Sequence, residues 1–233
     1  MADGVDLLVF GPHPDDLEIG IGGAIAKHVA LGHTVGLCDL TRGELGTNGT
    51  PDERVQEAEA AREVLGARWR QNLRLPDGDI GGDPSHLCAI VEVIRRARPR
   101  TIAVPYRRDR HPDHEAASRL LTRAAFLSGL ARYTAEGQKW RADWLLSYFI
   151  NDSTRPSFVV DVSAHYPAKR AALACHRSQF APPETGAAAT RLNTPRFQQL
   201  IESRDAHFGA LIGVAFAEGV VVRELMIREH LLK

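Results

Sequence analysis

Asp6-Leu7-Leu8-Val9-Phe10-Gly11-Pro12-His13-Pro14-Asp15-Asp16-Leu17-Glu18 is the stretch on which the fold reading turns. An apolar run stops at Gly-Pro, a cluster of ionisable side chains follows, and a helical period begins. Asp6–Phe10 lacks polar alternation, which predicts a strand covered on both faces, as in a parallel sheet. Glu18–Leu31 predicts a helix that ends at Gly32. The same alternation continues outward. His33–Leu40 reads as a second strand, Asp52–Leu65 as a helix stopped by Gly66, and Trp69–Leu75 as a third strand. A helix over Ser85–Ala97 then leads to a compact fourth strand, Thr101–Pro105, and to a helix from about His111 to Leu130. Such βαβ units predict an α/β fold with a mostly parallel sheet flanked by helices. Trp144–Ile150, Ser157–Val162 and Ala215–Val222 read as further strands, and Ala168–Ser178 and Arg196–Ile212 as helices. Ala181–Pro195 is the one stretch with the composition of a mobile loop.

The chain has 233 residues, which fits one domain over 1–233. Lys+Arg and Asp+Glu are both 29, so no basic excess exists to hold a nucleic-acid backbone or an anionic membrane. Cys38, Cys88 and Cys175 have neither CxxC spacing nor an even count, and read as reduced thiols. No cationic leader or long apolar run is found, so the expectation is a soluble cytoplasmic protein.

Two motifs carry the chemistry. His13-Pro14-Asp15-Asp16 follows the first strand, and His111-Pro112-Asp113-His114 follows the fourth after a short loop. Proline suits the first helical position, so each motif aims polar side chains and a helix N-terminus at one point. With spatial order 3-2-1-4, strands 1 and 4 are neighbours at the switch point, where ligands of doubly wound sheets bind. His13, Asp16 and His114 then form a three-ligand set with an open position, the pattern of catalytic zinc. The set also suits Fe(II). Asp15 and His111 stand beside it as a candidate general base and a candidate oxyanion-side group. A helix start with Pro and Asp can serve the dipole alone, but two copies at one switch point argue against that reading. The remaining histidines (His28, His33, His86, His165, His176, His207 and His230) read as surface or packing residues.

A dinucleotide site is the rival class, because Asp39 ends strand two and Gly11 follows strand one. The glycine fingerprint fails there: His13 and Asp16 stand where the second and third glycines belong, blocking close approach of a pyrophosphate. Gly20, Gly22 and Gly23 read as close helix–sheet packing. A purely structural metal module is the other rival. It would close the site with a fourth protein ligand instead of leaving Asp15 and His111 beside it.

At these residues the sequence resembles the LmbE-like deacetylases, which include the N-acetylglucosaminyl-phosphatidylinositol de-N-acetylases. Their H-P-D-D-x-E and H-x-D-H patterns are matched by His13–Glu18 and His111–His114. The resemblance extends through Asp39–Glu44, Asn48-Gly49-Thr50, Arg54, Asn72-Leu73, Pro76-Asp77, His176–Phe180, Phe208-Gly209, Gly213-Val214 and Glu218-Gly219. The Thr-Arg-Gly-Glu loop and the tail look most like the branch that deacetylates N-acetylglucosaminyl malate in bacillithiol biosynthesis. The resemblance implies a Rossmann-like fold, one zinc ion per chain, a small-molecule glycoside substrate and a homo-oligomer. It also places the ligands on His13, Asp16 and His114, the base on Asp15 and the oxyanion-side histidine on His111. Arg54 is implied as a substrate contact.

Malate carries two carboxylates, and arginine suits their bidentate pairing. Of the arginines at the strand-end rim (Arg42, Arg54, Arg107, Arg108 and Arg110), Arg110 is singled out by its adjacency to His111. Arg107 and Arg108 read as solvated charge. Glu18 is expected to support the helix start or lie behind the ligands, and Asp109 or Asp113 to orient His111.

Overall fold

The computed structural model describes residues 4–182 and 188–225. Strands β1 (Leu7–Gly11), β2 (Val35–Asp39), β3 (Trp69–Asn72) and β4 (Thr101–Pro105) alternate with helices α1 (Asp16–Ala30), α2 (Pro51–Leu65) and α3 (Pro84–Ala97). Helix α4 (Pro112–Ser128) leads to β5 (Trp144–Tyr148) and β6 (Phe158–Asp161). Helices α5 (Tyr166–Cys175), α6 (Arg177–Phe180) and α7 (Pro195–Ile212) precede β7 (Ala217–Val222). The seven strands form one sheet, ordered β3-β2-β1-β4-β5-β7-β6. Its first five strands are parallel, and β7 pairs antiparallel with β5 and β6. The expected order 3-2-1-4 is present, and the order reverses between β1 and β4.

Local chemistry explains the elements that frame this switch. Every residue of β1 and β2 is buried, consistent with helices on both faces. Thr50 and Glu53 form a reciprocal capping box at the start of α2, Pro51 takes the first helical position, and Gly66 ends the helix at φ 73°. This fixes the end of the long loop between β2 and α2. Gly20 is required by close approach, since a Cβ there would run into the Tyr148 ring. The Tyr148 hydroxyl in turn donates to the Phe10 carbonyl, tying β5 to the end of β1.

Three expectations are revised. Ala168–Ser178 is not one helix: the chain departs from helical geometry at His176 (ψ 61°), between α5 and α6. Helix α1 begins at Asp16, two residues before the expected start, and contains a break at Ile21. The two H-P-D motifs are also not equivalent. Pro112 occupies the first turn of α4 with His111 as N-cap, as the motif predicts. Pro14 instead lies in a turn before α1, because Asp16 Oδ2 accepts from the His13 amide at 3.0 Å and closes that turn first. The segment Ala181–Pro195 lies partly, and His230 wholly, outside the described residues.

Beneath the antiparallel end sits a buried ionic network of Lys169, Asp205 and Glu218. Burial pushes the Asp205 carboxyl up, but Arg204 and Lys169 outweigh it and hold it below the usual carboxylate value. A depressed carboxyl contributes stability that is complete above its unfolded value, about 4, and is lost as pH falls through the folded value. Wild type should therefore lose Tm more steeply below pH ~4 than Asp205→Asn. Calorimetry at matched pH values checks this, and parallel Tm curves would exclude Asp205 from the acid response.

Candidate metal centre and active site

The candidate metal ligands sit where β1 and β4 give way to helices: His13 in the turn after β1, Asp16 at the first residue of α1, and His114 in the first turn of α4. His13 Nδ1 lies 3.0 Å from Asp16 Oδ2, and His114 Nε2 lies 3.3 Å from the same oxygen. Donor atoms of His13, Asp16 and His114 all fall within 4.8 Å of one another. All three residues are buried, yet they line a cavity of about 550 Å³ that opens to solvent.

The donor set passes a test that local spacing does not provide. A metal-binding imidazole commonly passes its second ring nitrogen to a carboxylate, which fixes the ring. His114 Nδ1 lies 3.0 Å from Asp109 Oδ1. His13 Nε2 lies 3.0 Å from Asp77 Oδ1 and 3.4 Å from Asp113 Oδ2. Both rings are thus held from behind by acidic groups. Burial disfavours charge on His13, but its bonds to Asp113, Asp16 and Asp77 prevail and hold it well above the ordinary histidine value. Burial works against His114 in the same way, and Asp16 and Asp109 raise it to about 9. Asp16 is held well below the carboxylate range: burial opposes this, and His114 and His13 override it. A divalent ion bound here would displace protons from these rings and bring the positive charge that the surrounding carboxylates favour.

Asp15 differs from its neighbour. It is 3% exposed, and burial raises its carboxyl to about 6, with Arg54 opposing and Asp16 reinforcing the rise. Arg54 Nη2 lies 3.4 Å from Asp15 Oδ2, and its Nη1 donates to the Gly43 carbonyl at 2.9 Å. Gly43 has φ 65°, and a Cβ there would collide with that guanidinium. Arg54 is therefore a buried neighbour of Asp15, deep in the cavity. Arg110 is exposed at the cavity wall, while Arg107 and Arg108 are exposed and outside the lining.

Neither carboxylate expected to orient His111 touches its ring. Asp109 accepts from the His111 backbone amide at 2.9 Å and pairs with His114, and Asp113 faces His13. The His111 ring is fixed by the start of α4: its Nδ1 accepts from the Asp113 amide at 3.2 Å. It stacks on His114, with centroids 4.7 Å apart. That leaves Nε2 as the nitrogen able to carry and donate a proton. Burial, then the charges of His13 and His114, lower its pKa.

Glu18 is fully buried, with one oxygen 2.6 Å from Arg70 Nη1 and the other 3.3 Å from His176 Nε2. Arg70 also grips Asp39 through two bonds of 2.7 and 2.8 Å. His176 is 0% exposed and packs beside Glu18 behind the Asp15–Glu18 turn, so it is a packing residue. The roles of Asp77 and Asn151 are not legible in the sequence. Asp77 is recognisable only through the Pro76-Asp77 match. Asn151 follows β5 at the same sheet end, and its amide binds Asp109 at 2.9 Å. Arg191, whose loop gives no specific match, also lines the cavity and donates to Asn151.

The class defined by these features is an α/β protein with an open His–Asp–His metal-binding group at the switch point of its sheet. The chain belongs to the PIG-L family: the family profile, described as GlcNAc-PI de-N-acetylase, matches residues 8–125. The diacetylchitobiose deacetylase of Thermococcus kodakarensis is 28% identical over 92% of this chain and 81% of its own. The 1D-myo-inositol 2-acetamido-2-deoxy-alpha-D-glucopyranoside deacetylase 2 of Catenulispora acidiphila is 29% identical over 75% of this chain and 79% of its own. Among solved structures, the conserved protein TT1542 from Thermus thermophilus superposes with a TM-score of 0.87 at 38% identity, covering 98% of this chain and 99% of that one. No helix among the described residues is long and apolar enough to cross a membrane.

Proposed function

We propose that the protein is a zinc-dependent N-deacetylase of N-acetylglucosaminides, and that its substrate is N-acetylglucosaminyl malate. The observation that carries the reaction class is Asp15, a buried carboxyl with a raised pKa beside a separate His–Asp–His set. His13, Asp16 and His114 would hold the ion, which when bound polarises the acetamide carbonyl and makes water a better nucleophile. Asp15 takes the proton of the attacking water and returns it to the departing amine nitrogen. His111 Nε2 donates to the oxygen that gains charge as the carbonyl carbon becomes tetrahedral. The buried walls keep Asp15 short of solvent, so its affinity for a proton stays near that needed at neutral pH.

The malate end is supported by Arg110, an exposed guanidinium on the cavity wall close to His111. Losing one charged hydrogen-bond partner costs about 1.5–3 kcal/mol, so Arg110→Ala should lower kcat/KM for the malate glycoside at least ~10-fold. Free N-acetylglucosamine has no carboxylate to lose and should be affected much less. Arg54, placed against Asp15, should behave differently. Arg54→Ala is expected to fall by about tenfold or more on both compounds. Steady-state kinetics of wild type and both variants, with diacetylchitobiose as a third substrate, tests the proposal. Equal wild-type use of all three compounds would reject malate as the recognised aglycone. Zinc binding without release of acetate from any of them would reject the enzyme.

A further inference from the structure

Helix α1 is interrupted just behind the metal ligands. Ile21 has φ −143° and ψ 18°, so the turn bearing Asp16 and Ile19 is separated from the rest of the helix. In an unbroken helix the amides of Gly23 and Ala24 bond to the carbonyls of Ile19 and Gly20. Here Glu218 accepts from both amides, at 2.9 and 2.6 Å. Arg204 Nη2 donates to the Ile19 carbonyl at 2.7 Å. A carboxylate and a guanidinium thus take over groups exposed by the break. The two are joined through Lys169, whose Nζ donates to Glu218 and to Asp205 at 2.7 Å each, and through Asp205, which accepts from Arg204 Nε at 3.0 Å.

Arg204 also reaches the opposite wall. Its Nη1 donates to the carbonyls of Phe149 and Ile150, at 3.1 and 2.8 Å. Ile19 and Ile150 both belong to the cavity lining. The residue after Ile150 is Asn151, which lies 3.4 Å from His114 Nδ1 and bonds Asp109. One guanidinium therefore spans the turn that carries Asp16 and the segment that supports His114. Buried ionic groups contribute little to stability compared with an apolar core of the same volume, so stability alone is a poor account of this network.

We propose that Arg204, held by Asp205, Lys169 and Glu218, is a positioning residue that fixes the spacing between Asp16 and His114 and so sets the metal affinity of the site. The proposal rests on the reading of His13, Asp16 and His114 as ligands. The test is chelator competition for Zn²⁺ on the full chain, with circular dichroism and Tm measured on the same samples. Arg204→Ala is expected to bind zinc about tenfold or more weakly while keeping its helical content, with Arg204→Lys in between. A merely structural role would lower Tm and leave the zinc Kd of the folded protein unchanged, which would overturn the proposal. Wild type that binds no zinc would instead overturn the ligand reading and the proposal with it. Where Arg204→Ala does not fold, wild type decides. Coupling is reciprocal, so zinc should slow hydrogen exchange of the Gly23 and Ala24 amides by about threefold or more. Exchange at those amides that is the same with and without zinc overturns the proposal.

Discussion

Replacing Asp15 by Asn is expected to lower kcat on an N-acetylglucosaminide by about 10²–10⁴-fold, the usual range for a general acid–base group. Zinc affinity should stay close to wild type, because the His–Asp–His donor set does not include Asp15. The substitution keeps the shape of the side chain and removes its ability to accept and release a proton. It also leaves Arg54 without its carboxylate partner, though the Gly43 carbonyl still holds one end of that guanidinium. Folding should therefore survive. The measurement pairs turnover at saturating zinc with chelator competition on the same preparation. Near-normal turnover with metal bound would remove Asp15 from the mechanism. Loss of zinc together with turnover would make it a ligand.

The second large effect is expected at Asp109, and it acts on the metal. Asp109→Asn should weaken zinc binding by about 10–100-fold, the scale for groups that orient a metal-binding imidazole. The carboxylate accepts from the His111 amide and both the backbone and side-chain amides of Asn151 while facing His114 Nδ1. Burial would raise its pKa, but His114 and the backbone amides hold it at about 2, so it is ionised throughout the working range. An amide in its place would present an N–H group to at least one of these donors. Turnover at saturating zinc should recover most of its wild-type value, which separates orientation of a ligand from direct chemistry. A zinc Kd unchanged in Asp109→Asn would refute the supporting role.

The sequence and the structure agree where the information is local. The five-residue apolar runs of β1 and β4, the capping box at Thr50–Glu53 and the glycine at 66 each carry a short-range physical signal. The doubly wound order 3-2-1-4 then brings the two histidine motifs to one switch, and the sheet has that order. The break in α1 is not legible, because the groups that satisfy it, Arg204 and Glu218, come from the far end of the chain. Gly20, Gly22 and Gly23 read as packing, and Gly20 does pack on Tyr148. Their pattern gives no sign that the helical ladder is interrupted among them. The partners of Asp109 and Asp113 are illegible for a related reason. Adjacency to His111 suggests contact with its ring, whereas the N-terminal turn of α4 points Asp113 toward His13, about a hundred residues earlier. Arg54 shows the converse: loop chemistry places it at the rim, and the left-handed Gly43 lets the guanidinium reach inward to Asp15.

The sheet ends on β3 at one edge and β6 at the other, each only four residues long. β3 also commits Arg70 inward to Glu18 and Asp39. Short edges offer few free backbone groups to a neighbouring strand, which is how natural sheets resist edge-to-edge aggregation. Among the described residues, then, neither edge is a template for extending the sheet. A copy docked on helices or loops would leave undisturbed the strand register that sets the two histidine motifs opposite each other.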